Sequence, residues 1–312
     1  MTPTILALVT LLTASTVADA AVLCASKKGA VFVRDACKKK ERAIDPVALG
    51  LQGPPGLQGQ QGPKGDPGLP AWERPCPPDS VRSGDICMDT YEASVWRIPP
   101  SATTLVQAAR NGTATLADLV AGGATPLGVT GDTYAPCADS GQNCTDDIYA
   151  VSLPGVLPSA NITWFQAQAA CENARKRLPS NAEWQAAVIG TPDPGGDNEA
   201  TDCNTFGPPY AVTVTGSRSN CVSARGAFDM VGNLSEWVAD WVPRSGVCGT
   251  WDVGVSPTGD DQCLVGAAAT GEPGALLRGG IFNDGTDAGP LTVGGDYGPS
   301  LYSGASGFRC AR

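Results

Sequence analysis

The sequence contains no histidine. That absence removes Ser-His-Asp and Cys-His catalysis and histidine-ligated zinc together. Cysteine is plentiful, at twelve, yet no two stand in a CxxC pair, so a zinc ribbon or a thioredoxin-type redox motif is not expected. Nothing after residue 20 is apolar enough over a long enough run to cross a bilayer. Basic residues are also scarce where most of the chain lies. Residues 72–312 hold 13 Lys/Arg against 26 Asp/Glu, a charge of −13 within a chain whose net charge is −10. An acidic domain of this kind argues against nucleic acid as a partner and is compatible with cation binding.

What is present divides into four stretches. Met1 to Ala20 has an apolar core, Ile5–Ala14, followed by Ala18-Asp19-Ala20, which suits the small-x-small rule for signal-peptide cleavage. Leu23 before Cys24 is the wrong residue for a lipidation box, so the expected location is secreted, extracellular or periplasmic. Residues 21–49 carry seven Lys/Arg against three acids and include the run Lys38-Lys39-Lys40. Ala30–Val33 reads as one strand clipped by Cys24 and Cys37. The lysine run is either a solvated face or a contact with an anionic envelope.

Residues 50–70 are seven unbroken Gly-X-Y triplets. Glycine at every third place is what a triple helix needs at its axis, and the segment would span about 65 Å at polyproline rise. Two readings stay open: a collagen-like stalk that makes a homotrimer, or a stiff monomeric linker.

From residue 72 to the end the chain reads as one large domain, with enough hydrophobic content for a core and a loop-rich balance of 39 Gly and 26 Pro. Cys87–Trp96 is expected as its first strand. Residues 102–109 and 114–121 read as two short helices of an insertion, stopped at Gly122-Gly123. Thr163 can cap a helix running to about Arg175, and Ser180-Asn-Ala-Glu183 is a capping box for a second. Trp164 and Trp184 suit core packing. Short spacings favour the disulfides Cys24–Cys37, Cys76–Cys87, Cys137–Cys144, Cys203–Cys221 and Cys248–Cys263, which leaves Cys171 for Cys310. Six disulfides imply an oxidising compartment.

Gly226 to Trp241, GAFDMVGNLSEWVADW, is the most distinctive stretch. Asp229–Asn233 reads as a turn whose Gly and Asn tolerate positive φ. A strand follows, with Trp237 and Ala239 expected on one face and Val238 and Asp240 on the other. Glu236 could point back at the turn carbonyls, as a calcium ligand would. A buried aromatic strand after a tight turn explains the same residues.

This stretch resembles the signature of the formylglycine-generating enzyme and sulfatase-modifying-factor family. Ile162–Trp164, Arg177–Trp184, Arg278-Gly-Gly280 and Gly307–Arg312 match further family motifs in the same order. The resemblance implies an α+β, C-type lectin-like fold with two main helices, small twisted sheets and long loops. It independently supports Cys171–Cys310. It also implies a structural calcium ion held by Asp229, the backbone oxygens of Gly232 and Leu234, and Glu236, with Asn204 as a further candidate. Formylglycine-generating members bind copper through two cysteines after the R-G-G motif. The matching positions here are Asp284 and Gly289, and no cysteine stands between Cys263 and Cys310. Copper is therefore not expected, because a thiolate pair is what Cu(I) selects.

Residues 281–306, between the two C-terminal motifs, hold no Lys or Arg and are rich in Gly, Asp, Ser and Tyr. Paratope surfaces use similar residues. The arrangement resembles the variable segment of retroelement-diversified ligand-binding proteins that share this lectin variant. Phe282, Asn283, Asp284, Asp287, Asp296, Tyr297 and Tyr302 are the expected contacts for a protein or glycan ligand. The leading expectation is thus a non-catalytic, secreted or surface binding protein. A divergent oxidase and a structural envelope component are the alternatives.

Overall fold

The computed structural model describes residues 22–45, 75–193, 195–268 and 271–312. The expected signal peptide at 1–20 and the Gly-X-Y run at 50–70 lie outside the described residues. The chain forms two compact units, Met1–Pro67 and Gly68–Arg312.

In the first unit, Ala30–Val33 was expected to be a lone strand, but three strands form. These are β1 (Val22–Ser26), β2 (Val31–Arg34) and β3 (Glu41–Ile44), in the antiparallel order β2-β1-β3. Cys24–Cys37 closes the sheet, and Cys24 is the only buried residue among the described residues of this unit.

The second unit opens with a β4 (Ser80–Ser83) and β5 (Ile86–Asp89) hairpin, then β6 (Ala93–Arg97). The single strand expected over Cys87–Trp96 is therefore two. The break at Thr90–Glu92 turns Glu92 inward, where it is wholly buried. The insertion holds α1 (Thr103–Asn111) and α2 (Leu116–Ala121), packed with Trp96, Tyr149 and Leu153 as a small core of their own. Strands β7 (Thr125–Leu127) and β8 (Ile148–Ser152) flank β6. Helices α3 (Trp164–Asn173) and α4 (Asn181–Val188) start where the sequence signals them. Thr163 and Ser180 each make a reciprocal capping box with the Gln or Glu three residues on.

The main sheet contains β9 (Ser235–Val242), β10 (Val247–Thr250), β11 (Asp261–Val265), β12 (Gly274–Arg278), β13 (Val293–Gly294) and β14 (Ser306–Phe308), in the order β10-β11-β13-β12-β9-β14. Strand β9 lies between antiparallel β12 and parallel β14, with Trp237 opposite both Leu277 and Phe308. One face packs Trp237, Leu277 and Phe308 with Ala167, Ala170 and Cys171 from α3. The other packs Val238 and Leu276 with Trp184 and Ala187 from α4.

With both faces covered, Glu236, Trp237 and Val238 are all buried and only Ala239, Asp240 and Trp241 are exposed. The expected alternation of faces holds where the strand is covered, with Trp237 in one core and Val238 in the opposite one. Because helices cover both faces, successive residues are buried regardless of which way they point.

All twelve cysteines are paired, as Cys24–Cys37, Cys76–Cys87, Cys137–Cys144, Cys171–Cys310, Cys203–Cys221 and Cys248–Cys263. No helix among the described residues is long and apolar enough to cross a membrane.

Candidate functional site

The turn before β9 has the expected backbone: Asp229, Gly232 and Asn233 all adopt positive φ. Gly232 is required there for a second reason. A Cβ on it would lie 2.3 Å from the carbonyl oxygen of Asn204. The turn is held by side chains from elsewhere in the chain. Buried Glu92 accepts from the Leu234 amide at 3.0 Å and from Asn233 Nδ2. Asn233 Oδ1 in turn accepts from the Thr213 amide and from Asn204 Nδ2.

Burial, then the nearby Asp229 and Glu236 carboxylates, holds the Glu92 acid well above the usual carboxylate range. Burial likewise lifts Asp229 to about 6, against the hydrogen bond its Oδ2 accepts from the Gly216 amide. The sequence reading gave Glu92 no role. Its only signal was a place, in Asp89-Thr-Tyr-Glu92, within the stretch expected as the first strand.

Glu236 does not face the turn carbonyls. Arg309 Nη2 donates to its Oε1 at 2.6 Å, Arg309 Nε reaches both oxygens at 2.9 and 2.8 Å, and Trp184 Nε1 donates to Oε2 at 2.7 Å. Arg309, fully buried, completes its donors on the carbonyls of Asp89 and Phe228. The cation beside Glu236 is thus a guanidinium from the G-F-R motif. Of the residues expected to hold calcium, Asp229, Gly232, Leu234, Glu236 and Asn204, Glu236 is engaged by Arg309 and Trp184 and not aimed at the turn carbonyls. Within that set, Asn204 Oδ1 is the one side-chain oxygen left buried without a donor.

Among the described residues, one group of three candidate ligand atoms lies within 4.8 Å: Cys248, Cys263 and Asp296. Its two sulfurs are bonded to each other, so it offers no thiolate.

A different site forms where 281–306 meets the sheet. A cavity of about 250 Å³ is lined by four carboxylates, Asp261, Asp284, Asp287 and Asp296, together with Ile281 and Tyr297, and no Lys or Arg is in its wall. Strand β11 positions Asp261. The Asp284 carboxylate accepts from the Ile281 amide at 2.9 Å, just before a single 3-10 turn at Gly285–Asp287. Burial, then the neighbouring carboxylates, raises Asp284 above the ordinary aspartate range; Asp287 and Asp296 do the same for Asp261 after burial. Both shifts come first from burial, with the neighbouring carboxylates adding to it.

A second, apolar pocket of about 300 Å³ adjoins, lined by Val129, Leu157, Tyr210, Val212 and Phe282 among others. The two share their dividing wall. Ile281, Ser303 and Ala305 line the acidic cavity, whereas the intervening Phe282 and Gly304 line the apolar one. Phe206 and Tyr210, each about half exposed, make an edge-to-face pair with ring centres 5.2 Å apart.

Of the contacts expected from sequence, Asp284, Asp287, Asp296 and Tyr297 line the acidic cavity and Phe282 the apolar pocket. Asn283 and Tyr302 are exposed and line neither. Asp261 and Tyr210 were missed, since they come from segments outside 281–306. The interval is also not one exposed loop. Ala288, Gly289, Thr292, Val293 and Gly295 are buried, because β13 lies inside the sheet between β11 and β12.

Comparison with known proteins agrees with this motif order. The model of the sulfatase-modifying factor enzyme 1-like domain matches residues 128–312. A formylglycine-generating enzyme of Thermomonospora curvata is 33% identical over 102 residues, covering 27% of this chain and 33% of that protein. A serine/threonine-protein kinase, pkn1, of Chlamydia pneumoniae is 28% identical over 160 residues, covering 50% of this chain. The matched region spans 24% of that kinase's length.

Among solved structures, a Major Tropism Determinant P3c variant aligns at a TM-score of 0.41 and 16% identity, covering 75% of this chain and 52% of that one. PvdO from Pseudomonas aeruginosa aligns at 0.36 and 17% identity, covering 76% and 88%. The family match spans more than half of the chain, which belongs to the family of sulfatase-modifying factor enzyme 1-like domain proteins.

Proposed function

We propose that this chain is a non-catalytic ligand-binding protein, and that its ligand face is the acidic cavity together with the apolar pocket beside it. The observation that carries this reading is the wall of four aspartates with no basic residue. A cation supplied by the ligand would relieve the repulsion among them, and an adjoining aliphatic or aromatic group would fill the apolar pocket. The fitting ligand is a protein segment presenting Lys or Arg beside an apolar side chain, in preference to a neutral glycan. Asp284 stands at the position matched to a family cysteine, and every cysteine of this chain is in a disulfide. Both facts support a binding role over copper-dependent oxidation.

Export is part of the proposal, supported by six disulfides in one chain. A collagen-like stalk at 50–70 would present three heads together, and sedimentation of the whole chain as a monomer would remove that element.

The test is titration with a heptapeptide library pairing Arg or Lys with Leu or Phe. Asp284→Asn combined with Asp287→Asn is expected to weaken the best binders at least about tenfold, the scale of a lost buried charge pair. Asp132→Asn, outside the cavity, should leave them unchanged. Equal losses in both variants would mean that only the overall negative charge attracts these peptides.

A further inference from the structure

We propose that the first unit is a docking module for an anionic phospholipid surface. The lysines are separated in sequence but share one end of the sheet. Strand β1 runs into the Lys27-Lys28-Gly29 turn, and Ser26 at its end pairs with Glu41, so Lys38, Lys39 and Lys40 arrive at the same edge. All five are exposed and line one concave surface. Its single acid, Glu41, is already engaged: Arg34 bridges it at 3.0 Å and the Lys38 amide donates to it. The surface therefore carries an uncompensated positive charge.

The second observation is the face of the sheet itself. The registers Leu23↔Val33, Ala25↔Val31 and Leu23↔Ile44 put these five apolar residues on one side. Val31 is 55% exposed and Val33 71%, on an edge strand. Phe32 points to the opposite side, where the Arg34 guanidinium covers its ring at 4.7 Å.

Lysines flanking an exposed aliphatic face are the two parts of interfacial binding: cations at the phosphate level, methyl groups at the acyl boundary. A soluble phosphate would use the lysines alone and leave Val31 and Val33 without a role. A neutral protein partner would use the valines and leave the lysines without one. This surface is separate from the ligand face proposed above and does not depend on it.

The experiment is flotation of the whole chain with vesicles of phosphatidylcholine containing about 30% phosphatidylglycerol, against phosphatidylcholine alone. Binding to the anionic vesicles is expected to exceed that to neutral ones at least about tenfold, and to vanish as salt rises from about 0.05 to 0.5 M. Replacing all five lysines by Gln should remove it. Lys38→Gln with Lys39→Gln and Lys40→Gln should remove part, which guards against misfolding of the fuller variant. Val31→Ser with Val33→Ser should lower binding roughly severalfold while keeping its salt dependence. No preference for anionic vesicles overturns the proposal. So does undiminished binding by the five-lysine variant, or a soluble polyphosphate that binds as tightly in the valine variant as in the parent.

Discussion

Replacing Glu236 with alanine would leave the fully buried Arg309 guanidinium facing no carboxylate, and Trp184 Nε1 without its acceptor. Breaking one side of such a pair costs about 3–5 kcal/mol, whereas replacing both partners by apolar groups is often close to neutral. Urea unfolding should therefore find Glu236→Ala strongly destabilised and the double change Glu236→Leu, Arg309→Met much less so. The loss should be the same with and without a chelator, because the cation is the protein's own.

Asp229 gives a pH signature at the same scale. Its folded pKa of about 6 lies above the ordinary carboxylate value, so the folded state holds the proton more tightly than the unfolded one. The resulting stability is present below about pH 4 and is lost as pH rises towards 6, on the order of 2–3 kcal/mol. Asp229→Asn, which suits the positive φ there, should abolish that part of the dependence. Parent and variant should unfold alike near pH 4, with the parent the weaker at pH 7. A parent that gains on the variant with rising pH would reverse the assignment.

At the level of elements, the interval 281–306 combines two kinds of position. Its 3-10 turn and its later loop expose Asp287 and Tyr297 to the cavity, while β13 buries Val293 within the sheet. Asp287→Ser should change stability by less than about 0.5 kcal/mol, as exposed substitutions usually do. Val293→Ser should cost roughly 1–3 kcal/mol, through lost apolar burial and a new buried hydroxyl. Chemical denaturation of the two variants separates these cases. If this segment diversifies, the variation belongs at the exposed positions and not in β13. Composition alone made the interval look uniform, because Gly, Asp, Ser and Tyr mark loops and give no hint of a two-residue strand inserted between distant partners.

Across the whole second unit, the C-terminus is fastened twice. Cys310 is bonded to Cys171 of α3 across 139 residues. Beside it, buried Lys176 pairs with Asp79 at 2.6 Å and Asp89 at 2.7 Å, and Arg312 pairs with Asp79 at 2.8 Å. Replacing both Cys171 and Cys310 by Ser should cost roughly 4–5 kcal/mol in the chain-entropy account, more than opening the seven-residue Cys137–Cys144 separation. Comparing the two double variants in denaturant checks this ordering. A larger loss at Cys137–Cys144 would mean that local strain, and not loop length, sets the cost.

By itself the sequence determined the local features: the two capping boxes, the positive-φ turn at Asp229–Asn233, and the α+β family implied by its motif order. Each depends on residues within a few positions of one another, or on identities that survive without a partner being known. The absence of histidine and of a free C-terminal cysteine pair likewise limited the chemistry before any fold was considered. Only the tertiary structure decided where the charges go. It delivered Arg309 to Glu236 from 73 residues away, and Glu92 to the Leu234 amide from 142 away. It also brought Asp261 into the cavity beside Asp284, Asp287 and Asp296. A carboxylate reads the same in sequence whether its counter-cation is calcium, a guanidinium or a ligand yet to arrive. Its partner is chosen by chain crossings over long separations, which local pattern does not encode.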